Sequence, residues 1–233
     1  MRPSFLKNTF LLVLSLTLMA CSQSPTPQPS GKKVYASSGE FLYHLDVGDG
    51  SAKQVGAFEN AGYLLDLARS PVDQKLYGVT SNGLYGIDPN TGKATLLSIK
   101  GFQSINSLAV NLDGRLWGVG GKDLYRIDLE KGLMEKILTL QTSKPVSGDL
   151  VFYKSKTYVS LLNGSGKDVL AQVNVTGEVT ELGDIGFREV YGLTMHEDQM
   201  YGVTSNRDFL KIDLSTGKGT RIGPTAFSGT GLE

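Results

Sequence analysis

Leu76–Leu97 reads LYGVTSNGLYGIDPNTGKATLL, and nearly the same phrase returns at Met200–Ile222 as MYGVTSNRDFLKIDLSTGKGTRI. Each copy alternates apolar and polar residues with period 2, interrupted by Gly, Asn and Asp, which spells strand, turn, strand, turn, strand. Two landmarks carry the pattern through the rest of the chain. One is an aromatic residue in the second strand, at Tyr35, Tyr77, Trp117, Tyr158 and Tyr201, spaced by 42, 40, 41 and 43 residues. The other is a third strand closing on an Asx turn at Asp46, Asp88, Asp128, Asn174 and Asp213, followed by Gly50, Gly92, Gly132, Gly177 and Gly217. A short polar side chain that bonds its own backbone, then a glycine, is what a tight strand-to-strand turn requires.

Ahead of each aromatic strand from the second copy on lies a small-residue strand with a central Leu: LLDLA (64–68), INSLA (105–109), SGDLV (147–151) and VYGLT (190–194). The first copy lacks this strand, whereas SGTGLE (228–233) at the other end has its pattern. Five repeats of about 40 residues, each built of short strands, predict an all-β, five-bladed β-propeller of four-stranded blades. The C-terminal strand is expected to pair into the first blade, which closes the ring and removes its exposed edges. The blades fall at 33–59 with 228–233, then near 62–99, 102–141, 145–185 and 188–226.

The N-terminus reads differently. Arg2 and Lys7 precede an apolar run, Phe10 to Leu18, too short to span a bilayer comfortably. Leu18-Met19-Ala20-Cys21 then resembles a bacterial lipobox, and Cys21 is the only cysteine in the chain, which excludes an internal disulfide. That resemblance implies a signal peptide over 1–20, lipid on the Cys21 sulfur and a cell-envelope address. Ser22 in place of Asp favours the outer membrane if the organism has two. The segment SQSPTPQPSGKK (22–33) is Pro-, Ser- and Gln-rich with no apolar residue, so it reads as a tether over 21–32 ahead of a folded domain over 33–233. The repeats themselves resemble the broad group of bacterial β-propellers of secreted and envelope proteins, a resemblance that specifies architecture and no activity.

Charge narrows the partners. The chain holds 23 basic and 23 acidic residues; removal of Arg2 and Lys7 with the leader leaves 21 basic against 23 acidic, a net charge of −2. With no run of either sign, no nucleic-acid surface is expected. No GxSxG, HExxH or CxxC occurs. His44 shares its repeat position with Gly86, Arg126, Gln172 and Lys211, which reads as an exposed strand face. The aspartates that close the third strands are spread around the ring and read as structural. Tyr43, Tyr85 and Tyr125 read as packing between blades rather than sugar platforms, and the TSN segments as turn chemistry.

The residue before each central Leu is the better functional position: Asp66, Ser107, Asp149, Gly192 and Gly231 should lie at one height around the axis. Asp66, Ser107 and Asp149, with Asn106 beside them, form a candidate channel ligand site. Two carboxylates and an amide suit Ca²⁺, and lactonase-type propellers look similar in placing metal ligands there, although Gly192 and Gly231 leave two blades empty. A polar, water-filled channel is the simpler expectation. The sequence therefore favours a non-enzymatic binding module for a protein or glycan partner. A metal-dependent, lactonase-like hydrolase and a glycan-binding lectin stand as alternatives.

Overall fold

The computed structural model describes residues 32–233; Cys21 and the preceding leader lie outside them. The first blade holds β1 (Lys33–Ser37), β2 (Phe41–Asp46) and β3 (Ala52–Ala57). The second holds β4 (Asp66–Arg69), β5 (Leu76–Thr80), β6 (Gly83–Ile87) and β7 (Ala94–Leu97). The third holds β8 (Ser107–Val110), β9 (Leu116–Gly120), β10 (Asp123–Asp128) and β11 (Leu133–Thr139). The fourth holds β12 (Val146–Tyr153), β13 (Lys156–Leu161), β14 (Val169–Val173) and β15 (Val179–Asp184). The fifth holds β16 (Val190–His196), β17 (Gln199–Thr204), β18 (Asp208–Ile212) and β19 (Gly219–Pro224), and β20 (Gly231–Leu232) ends the chain. Each blade is an antiparallel sheet of four strands in chain order, except the first, whose order is β20-β1-β2-β3. The ring is thus closed as the repeat count predicts, with Ala36 opposite Leu232 and Ser37 opposite Gly231.

The core follows from this arrangement. A blade is a sheet with two apolar faces, so each face must be covered by the next blade. Five buried clusters result, one per interface; Ala68, Tyr77 and Leu84 of the second blade meet Ile105, Leu108 and Met134 of the third, for instance. The aromatic series sits in these seams. Tyr43 stacks on Phe227 at 4.2 Å between centroids, and the Trp117 ring meets Phe152 at 6.0 Å. Tyr85 and Tyr125 pack against clusters of the same kind, as expected of blade-to-blade packing. All five Asx turns form, the side-chain oxygens of Asp46, Asp88, Asp128, Asn174 and Asp213 each accepting a backbone N–H at 2.7–3.0 Å.

His44 departs from the expectation of an exposed face. It is half-buried against the Tyr35 ring at 5.0 Å, its Nε2 has no hydrogen-bond partner, and burial followed by Lys33 and Lys53 lowers its pKa. The repeat position is outward-facing, but a short imidazole opposite Tyr35 packs tilted against its ring where a flexible Lys or Arg would reach into water.

Strands converge so tightly at the axis that some positions admit only glycine. A Cβ on Gly192 would stand 2.6 Å from the carbonyl carbon of Gly231 and from the Leu232 nitrogen. Gly192→Ala should therefore push the closing strand outward and cost about 2 kcal/mol or more. Gly164→Ala, where a Cβ meets nothing within 4 Å, is the control. Equal melting temperatures for the two variants would contradict this account of the axis.

Candidate functional site

Every inner strand (β4, β8, β12, β16, β20) runs from an upper face, where the loops from the preceding blade arrive, to a lower face. The residues before the central leucines meet at the axis, but not as an open ligand set. Asp66 is fully buried; its Oδ1 accepts the Leu67 N–H at 2.8 Å, and its Oδ2 accepts the Leu108 N–H of the next blade at 2.7 Å. Asp149 repeats the motif, taking Leu150 N–H on Oδ1 at 2.6 Å and Leu193 N–H of the following blade on Oδ2 at 2.7 Å. Two carboxyls thus hold four of the five central-leucine amides. Gly192 and Gly231 complete the ring without side chains, a Cβ on Gly231 being 2.6 Å from Asp66 Oδ1.

Burial, then the Asp149 carboxyl, hold Asp66 well above the ordinary carboxylate range; burial raises Asp149 as well. The proximity of the two carboxyls raises Asp66 further. Two close carboxyls in a dry site hold their protons more tightly than free ones do, the direction in which Asp66 and Asp149 both move. Ser107 is equally buried and its Oγ has no partner.

These residues do not fit a calcium ion as arranged. Ca²⁺ takes about six to eight oxygen ligands, whereas each carboxylate oxygen here is already occupied by an amide N–H. Among the described residues no group of three or more His, Cys, Asp or Glu side chains is placed to hold a metal ion.

The open space lies one residue earlier. Leu65, Asn106, Gly148, Tyr191 and Thr230, one residue per blade, line an axial cavity of about 280 Å³ at the upper face, together with Tyr63 and Ser147. Of the four sequence-predicted residues, then, Asp66 and Asp149 form the buried clamp beneath, Asn106 stands on the cavity wall, and Ser107 lies in the tight ring. Tyr63 is 53% exposed at the mouth. A Cβ on Gly39, which has φ +84°, would come within 2.4 Å of the Tyr63 ring, so that glycine makes the shelf on which the ring rests. Gly148 lets the backbone of the fifth blade close in, its absent Cβ lying 2.4 Å from the Tyr191 Cα.

The Ser147 and Thr230 hydroxyls of the wall are already engaged. Ser147 Oγ donates to Asp168 Oδ2 at 2.8 Å, and Thr230 Oγ1 pairs with Ser37 Oγ at 2.8 Å. Asp168 also accepts the Val190 N–H at 2.7 Å, sealing the fourth blade to the fifth. Glu189, at φ 55°, turns its carboxylate onto the Ser205 hydroxyl. Burial, then Glu189, Asp168 and Tyr63, raise the pKa of Tyr191. Sequence reading passed over Tyr63, Tyr191 and Asp168. The signal for Tyr191 was the single aromatic at a position that is Leu, Asn, Gly or Thr in the other blades; Tyr63 and Asp168, in loops outside the repeat, had none.

The chain matches no protein-family profile and no curated protein sequence. Solved structures do share its fold. A chain from the crystal structure of a nidogen/laminin complex superposes with a TM-score of 0.59 at 11% identity, over 86% of this chain and 96% of that one. A gluconolactonase from Xanthomonas campestris gives 0.57 at 16% identity, over 85% of this chain and 74% of its own. At such identities the likeness is one of fold, and the fold is a five-bladed β-propeller.

Proposed function

We propose that this protein is a lipid-anchored cell-envelope binding module whose axial cavity on the upper face docks a partner. The observation that carries this reading is the cavity: one residue from each blade converges on it, and Tyr63, on its glycine shelf, and Tyr191 line it. Its volume lies just under the range typical of small-molecule sites, which suits a single protruding group of a larger partner. A protein is the partner favoured, in keeping with the propeller chain found in a nidogen/laminin complex. Asp66 and Asp149 act in this reading as structural clamps rather than as hydrolytic machinery.

The anchor is consistent with that orientation. Lys33 opens β1, which runs from the lower face to the upper one. Twelve residues, Cys21 to Lys32, precede it, a reach of at most about 40 Å when extended. Lipid on Cys21 would therefore hold the lower face toward the bilayer and leave the cavity facing away. Two experiments test the reading. The N-terminal peptide should carry lipid mass that Cys21→Ser abolishes. A photo-crosslinker at Ser104, in the upper-face loop ahead of β8, should capture a defined envelope partner that one at Val175, in a lower-face turn, does not. Crosslinks arising only from the Val175 position would reverse the assignment of the binding face.

A further inference from the structure

We infer that the axial cavity is built for a primary alkylammonium group, the end of a lysine side chain of a protein partner or a free small amine. The inference rests on the upper-face docking site proposed above and names its ligand chemistry.

Four observations point the same way. First, the Ser147 and Thr230 hydroxyls are engaged with Asp168 and Ser37, and Asn106 gives one Nδ2 hydrogen to the Ser147 carbonyl at 3.3 Å. Asn106 Oδ1 is left as an acceptor on the wall for a ligand that brings N–H groups. Second, no Lys, Arg or His lines the cavity. Third, carboxyl groups stand behind the wall: Asp168 Oδ2 holds the hydroxyl of Ser147 at 2.8 Å, Glu189 is two residues from Tyr191, and both bear on the Tyr191 hydroxyl. Fourth, Tyr63 and Tyr191 present ring surface at the mouth, and an aromatic face attracts a cation. Leu65 supplies an apolar patch for the methylenes of the incoming chain. A neutral sugar would use the tyrosines and Asn106 but would gain nothing from the carboxylates.

The test is calorimetric titration of the full-length protein in detergent with n-butylammonium chloride and with Nα-acetyl-lysine methylamide. Nα-acetyl-norleucine methylamide, the uncharged counterpart, and N-acetylglucosamine serve as comparisons. Both ammonium compounds should bind at least tenfold more tightly than the norleucine compound. Binding should weaken at least tenfold in Tyr191→Leu and severalfold in Glu189→Gln, with melting temperatures near wild type. Preference for the lysine compound over butylammonium would identify a protein side chain as the source; the reverse order would identify a free amine. Equal binding of the norleucine compound, a preference for the sugar, or an unweakened Glu189→Gln overturns the ammonium assignment while leaving the docking face intact. No binding by any probe, together with crosslinks from the lower face alone, overturns both.

Discussion

A chain lacking Ser228–Glu233 is expected to lose cooperative folding altogether. The six residues supply the whole inner strand of the first blade. Their removal deletes the ladder to β1, including Tyr35 N–H to Glu233 O at 2.6 Å, Glu233 N–H to Tyr35 O at 2.8 Å and Thr230 N–H to Ser37 O at 2.9 Å. At about 1 kcal/mol each these bonds are the smaller part. Leu232 is fully buried in the seam with Val34, Ala36, Val203 and Phe209, and burying a leucine is worth roughly 1.5–3 kcal/mol. Beyond that, the gap unlocks the axis. Gly192 and Asp66 both lie against β20, so the fifth and second blades each lose the surface that their inner strands rest on. The sum approaches the 5–15 kcal/mol that separates a typical domain from its unfolded state. Far-UV circular dichroism should show no sigmoidal melt for the truncated chain. Moving the same six residues to a position directly ahead of Lys33, through a short hairpin turn, should restore most of it, because closure depends on pairing and not on connectivity. A truncated chain that melts within a few degrees of wild type would refute the role assigned to the strand.

The particular residues explain why architecture was so much easier to read than the site. Blade number followed from Asp46, Asp88, Asp128, Asn174 and Asp213, whose turn chemistry is local and needs no knowledge of neighbours. Closure followed from the likeness of SGTGLE to SGDLV, again a matter of pattern. The axis is different because it depends on distances between strands remote in sequence. Asp66 and Asp149 looked available for a ligand because sequence cannot show that the Leu108 and Leu193 amides stand within 2.7 Å of them. The same closeness shifted the usable cavity by one residue, to Asn106 and Tyr191, and hid Tyr63 in a loop with no repeat counterpart. Local rules write the blades, whereas the radius of the ring decides which positions stay open.

The clamp makes the second large prediction. Asp149→Ala strands the Leu150 and Leu193 amides in a dry interior and takes the hydrogen-bond partner from Asp66. Removing one member of such a buried polar pair costs about 3–5 kcal/mol, or roughly 10 °C of melting temperature for a domain of this size. The pH dependence carries the sharper signature. Carboxyls whose folded pKa is raised bind protons more tightly in the native state than in the unfolded one. Their contribution is complete below the unfolded value near 4 and is lost as pH climbs toward the folded value, at up to about 1.4 kcal/mol per pH unit for each proton. The groups bearing on the pair are Glu233 and, beside it, Arg69; Glu233 keeps partial exposure as a residue, yet burial pushes its carboxyl up to about 8. Asp66 and Glu233 thus act in the same direction between pH 5 and 8, and stability should fall across that window. Surface carboxylates held low, such as Asp128 beside Lys131, work in the opposite sense but lower down, losing their contribution as pH falls through their depressed values. Chemical denaturation of the wild type should therefore give a midpoint that declines from pH 5 to pH 8. Asp66→Asn removes one raised carboxyl, so the slope should shrink toward the part due to Asp149 and Glu233. A wild-type midpoint that rises across this range would mean that the carboxyls at the centre of the ring are not held above their ordinary range, and would refute this account of the clamp.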